Sequence, residues 1–122
     1  MKLPSKELLS EVCKTASKEK YNFLEVRRDG NNILAKFYIK EPVGKTFDYV
    51  INIYELAHKC KEWAIDLYGG EAYFMRSGNY VDWFCETGFT NGFDTKKFTA
   101  GTELEAIFKA CEWIMEQTKC GS

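Results

Sequence analysis

"NIYELAHKCKEWAIDLYGG", residues Asn52 to Gly70, decides the fold. Ile53, Leu56, Ala57, Cys60, Trp63, Ala64 and Leu67 recur at three- and four-residue intervals, which places one continuous apolar stripe on a helix. Asn52 and Glu55 form a capping pair at its start, and Gly69-Gly70 supplies a left-handed stop. Fifty residues later "TELEAIFKACEWIMEQTKCG", Thr102 to Gly121, repeats the device. Thr102 stands where Asn52 stood, and Glu105, Lys109, Glu112 and Trp113 match Glu55, Lys59, Glu62 and Trp63. The repeat departs from itself at one point. Cys60 and Trp63 are three apart and share a stripe, whereas Cys111 and Trp113 are two apart and face opposite ways. Cys111 goes with Leu104, Ile107, Phe108, Ile114 and Met115, and Trp113 goes with Ala106 and Ala110. A helix over about 103–118 is therefore apolar on a wide arc. It is either wedged between two layers or offers Trp113 as a seam for a second copy.

Outward from these helices the period changes. Leu8, Leu9, Val12, Cys13 and Ala16 predict a first amphipathic helix over about 5–18. Ile33, Ala35, Phe37 and Ile39 alternate with polar or outward residues behind Asp29-Gly30-Asn31-Asn32, so strands over 21–28 and 33–40 form a hairpin. Phe47, Tyr49 and Ile51 line one face of a third strand. In the second half, "AYFMR" and "YVDWFCET" read as a hairpin turning at Ser77-Gly78-Asn79. Residues 88–100 fit either a glycine-broken loop or a bulged third strand. The order is α-β-β-β-α-β-β-(β)-α: an α+β fold with an antiparallel sheet packed by two or three helices. The 122 residues suit a single domain, with half-repeats over 21–68 and 71–118.

Charge and cysteine usage narrow the function. Seventeen basic residues against eighteen acidic give a net charge of −1, without the basic excess of a general polyanion binder. Five cysteines with no C-x-x-C pair point to reduced, mostly buried thiols in a cytoplasmic protein. "MKLPSKELLS" has no apolar core for export, and no apolar run approaches the ~18 residues of a membrane span.

Catalytic constellations are sparse. His58 is the sole histidine, with Tyr54 and Glu62 one turn either side, so an enzyme acting through His58 is the least favoured reading. No zinc spacing, phosphate loop or dinucleotide fingerprint occurs, and no cofactor is expected. Arg27, Arg28, Arg76 and the first helix's lysines could form a small basic patch. "SGNYVDWFCETGFTNGFD", residues 77–94, stands out because it contains no Lys or Arg. If Val81, Trp83 and Cys85 face the core, then Tyr80, Asp82, Phe84 and Glu86 share the other face. With Phe89, Phe93 and Asp94 they make an acidic aromatic surface suited to a basic protein partner, such as a nucleic-acid-binding surface.

Residues 52–118 resemble small phage and prophage proteins of the phage ABA-sandwich type. The likeness rests on the "LAHKCKEWA" helix, the short meander and the "TELEAIFKACEWIM" helix start. It implies mobile-element origin and brings no assigned reaction. Residues 1–68 follow the α-β-β-β-α order of double-stranded-RNA-binding domains, but the loop Asp29-Gly30-Asn31-Asn32 and the opening "NIYELAHKCK" lack those domains' phosphate-gripping motifs. The expected function is thus non-enzymatic: a phage accessory protein that occludes a bacterial host protein, for instance a defence (CRISPR) component. A nucleic-acid-binding regulator is the alternative.

Overall fold

The computed structural model describes residues 2–14, 21–39, 44–92 and 95–120, with the side chains of 119 and 120 left aside. Helix α1 spans Lys6–Val12, and strands β1 (Phe23–Asp29), β2 (Asn32–Ile39) and β3 (Lys45–Asn52) lead into α2 (Ile53–Leu67). A single 3-10 turn, Gly70–Ala72, opens the second half. Strands β4 (Tyr73–Asn79), β5 (Trp83–Phe89) and β6 (Lys96–Ala100) then lead into α3 (Glu103–Cys120). Each set of three strands is its own antiparallel sheet, ordered β1-β2-β3 and β4-β5-β6. The α+β order is as the periodicities imply, with 96–100 a true third strand and two separate sheets in place of one.

The caps form as the sequence dictates. The Asn52 side-chain oxygen accepts from the amides of Tyr54 and Glu55 at 2.9 and 3.4 Å, and Thr102 Oγ1 accepts from the Glu105 amide at 3.2 Å. α2 and α3 begin 50 residues apart, as do β1 and β4. α3 lies across all three strands of the second sheet and against α2, whereas α2 touches β3 on one side and β4 on the other. One continuous core results. It holds Ile33, Ala35 and Ile51 from the first sheet, Ile53, Leu56 and Cys60 from α2, Cys85 from β5, and Ile107, Cys111 and Ile114 from α3. The wide apolar arc of α3 is used inside the molecule.

α1 is shorter than its periodicity predicts. It ends at Val12, because Cys13 leaves helical geometry (φ −101°, ψ 54°), is buried, and is hydrogen-bonded to the Tyr49 hydroxyl. Positions 15–18 of the expected helix lie outside the described residues. α1 is anchored by a clasp. Ser5 Oγ caps the helix by accepting from the Leu8 amide at 3.1 Å, and the Ser5 amide and hydroxyl donate to the two carboxylate oxygens of Glu112 at 2.7 and 3.1 Å.

The second hairpin corrects the sequence reading. Ser77, Gly78 and Asn79 are strand residues paired with Cys85, Phe84 and Trp83, and the turn is Tyr80-Val81-Asp82. Gly78 is there for close approach: a Cβ on it would sit 3.3 Å from the Phe84 ring. Ser77 accepts a 2.8 Å hydrogen bond from Lys61 Nζ of α2. What resembles turn chemistry is packing chemistry.

Candidate binding surface

Tyr80, Val81 and Asp82 form the tip of the β4–β5 hairpin. The Tyr80 amide donates to the Asp82 carbonyl at 3.3 Å, closing a three-residue loop above the Asn79–Trp83 pair. Tyr80 is 88% exposed and Val81 82%, the two most exposed large hydrophobic residues among those described. Val81 therefore faces water, not the core. Cys85 is fully buried in the core, and Trp83, two residues before it on the same face of β5, is half-buried.

Folding does not require apolar residues here, and the molecule carries its own control. The β1–β2 hairpin occupies the corresponding place in the first half and turns through Gly30-Asn31, a polar pair suited to a tight turn. The two tips close equivalent hairpins, yet only the second displays a tyrosine and a valine.

Phe84 and Glu86 lie below the tip on the outward face of β5, apart from Tyr80 and Asp82, which belong to the loop. The face around them is not acidic. Arg76 on β4 donates to Glu86 at 3.2 Å, Lys97 on β6 stands opposite Glu86, and the Lys97 ammonium sits 5.0 Å from the Phe84 ring centre. Segment 77–94 lacks basic residues, but its strand neighbours supply them. Phe89 is on the inward face, in a trio with Tyr68 and Tyr73 at 5.6 and 5.2 Å between ring centres. Phe93 and Asp94 lie outside the described residues.

The remaining candidates are scattered. Trp113 is partly buried with its ring 5.8 Å from Phe98, and the Lys96 ammonium lies 6.0 Å from the ring centre. His58 is on the exposed flank of α2, its Nε2 2.8 Å from Glu62 Oε1, with Tyr54 exposed one turn earlier. Arg27 and Arg28, being successive strand residues, point to opposite faces of the first sheet, and Arg76 belongs to the other sheet. They do not form a patch. Among the described residues, no group of three or more His, Cys, Asp or Glu is placed to hold a metal, and no helix is long and apolar enough to cross a membrane. No family model, curated protein or solved structure matches the chain.

Proposed function

We propose that this is a binding protein that docks a macromolecular partner through the β4–β5 tip, with Tyr80 and Val81 as anchors. One observation carries the reading: adjacent tyrosine and valine side chains stand more than four-fifths exposed on a hairpin whose counterpart turns through Gly-Asn. Withdrawing a side chain such as Val81 from water contributes about 1.5–3 kcal/mol. Tyrosine joins a broad apolar ring to a polar tip, the pattern of binding hot spots. Asp82 adds an acceptor beside them, while Phe84, Glu86, Arg76 and Lys97 form a mixed polar rim. This rim favours a partner that presents an apolar recess with charges of both signs, over a uniformly basic one. The resemblance to phage ABA-sandwich proteins supplies the context: an accessory protein that occludes a bacterial protein without catalysing a reaction.

The test is capture from a bacterial host lysate with the wild-type chain and with a Tyr80→Ser, Val81→Ser double variant as baits. Both baits should fold alike, since neither side chain is packed. The wild type should retain a partner that the variant loses. A partner held equally by both removes the tip from the reading.

A further inference from the structure

Four strands form sheet edges, and three of them carry devices that discourage pairing with another chain. β1 has a bulge between Phe23 and Glu25 and four charged residues, Glu25, Arg27, Arg28 and Asp29, in seven. β4 packs against α2 and has its Tyr73 and Met75 buried. β6 is only five residues long, begins with Lys96-Lys97, and its Thr99 carbonyl already accepts from Lys109 Nζ at 3.0 Å.

β3 also touches α2, the helix that continues from it, and carries Lys45 and Asp48, but it has no bulge and is not cut short. Its eight residues pair with β2 in unbroken register from Lys45↔Ile39 to Asn52↔Asn32, without bulge or proline, and six of the eight are exposed. Phe47 is 38% and Val50 58% exposed. Among the described residues β3 pairs with β2 alone, so its other edge presents a row of backbone donors and acceptors beside these side chains.

We propose that the chain self-associates through β3, two copies pairing antiparallel about a two-fold axis at Phe47 to make one six-stranded sheet. Residues 45–49 of β3 are self-complementary in that register. Phe47 meets the partner's Phe47 on the inward face. Lys45 on the same face lies over the ring of the partner's Tyr49, and on the outward face Thr46 is placed to donate its hydroxyl to the carboxylate of the partner's Asp48. No like charges come opposite. Moving the axis to Asp48 would set two carboxylates face to face, which disfavours that register. An isologous contact of this kind closes at two copies.

Sedimentation velocity of the full chain over a concentration series tests the proposal. The expected mass rises from 14.1 kDa towards twice that value with concentration. Thr46→Lys should tighten the dimer by facing Asp48, and Thr46→Glu should weaken it several-fold. Because the contact occurs twice, each change counts twice. Residue 46 is exposed, so both variants should keep the wild-type circular dichroism. The Tyr80→Ser, Val81→Ser variant should dimerise as the wild type does, which separates this site from the tip. A mass of 14.1 kDa at every concentration, as when β3 accepts only a foreign peptide strand, overturns the proposal. So do Thr46→Lys and Thr46→Glu acting in the same direction.

Discussion

Cys85, Cys111 and Cys13 show how burial sets chemistry one side chain at a time. Burial, with Cys111 next to it, pushes the Cys85 thiol up to about 12. Cys111 is raised by its hydrogen bond with Cys60 and then by burial, and Cys13 is raised by burial. The Cys111 sulfur also lies 3.6 Å from the Cys60 carbonyl, where the two long helices meet. Such thiols stay protonated, and thiol reagents should leave them unmodified at neutral pH until the chain unfolds. The sign of the pH effect follows. From about the ordinary thiol value of 9.0 up to about 12 the unfolded chain has lost a proton that the folded Cys85 keeps, so stability falls as pH rises through that window. Denaturant midpoints measured from pH 7 to pH 11 should drop above about 9, and Cys85→Ala should flatten part of the drop. A midpoint independent of pH in that range contradicts the assignment.

At the scale of elements, the return from β5 to β6 depends on one missing side chain. A Cβ on Gly88 would sit 2.9 Å from the Thr95 backbone and 3.0 Å from its hydroxyl. Gly88→Ala should therefore destabilise the protein by about 1–3 kcal/mol, read as a lower thermal midpoint. An unchanged midpoint would show that the segment after β5 can shift freely. Elements with strong period and cap chemistry, such as α2, α3 and the β1–β2–β3 meander, were legible in the sequence, since local spacing alone settles which face is buried. Ser77-Gly78-Asn79 was not, because its small residues answer to Phe84 and Lys61, distant in sequence and adjacent in space. The charge of the β5 face was misread for the same reason. Segment 77–94 contains no cation, but antiparallel pairing brings Arg76 and Lys97 beside Glu86. Tyr80 was singled out from composition. The exposure of Val81 depends on the chain turning at Tyr80-Val81-Asp82, which its local spacing does not reveal.

The whole molecule is two βββα halves that share a core, with α1 added across them. Among the described residues the hydrogen bonds that span the most sequence join Ser5 to Glu112, 107 residues apart. Glu112→Gln should loosen α1 without disturbing either sheet, at a cost of about 1–2 kcal/mol. Hydrogen exchange should then quicken at Leu8 and Leu9 while the strands stay protected. Equal quickening in β5 would show that α1 and the second sheet open together. The clasp also bears on time as well as on stability. Within each half most contacts are between neighbours in sequence, so hairpins and helices can assemble early, whereas Ser5 finds its acceptor only after α3 is in place. A bond made after the rate-limiting step leaves the speed of folding untouched and governs the speed of unfolding. Glu112→Gln is then expected to raise the unfolding rate and leave the folding rate as it is, as the two arms of a chevron plot would show.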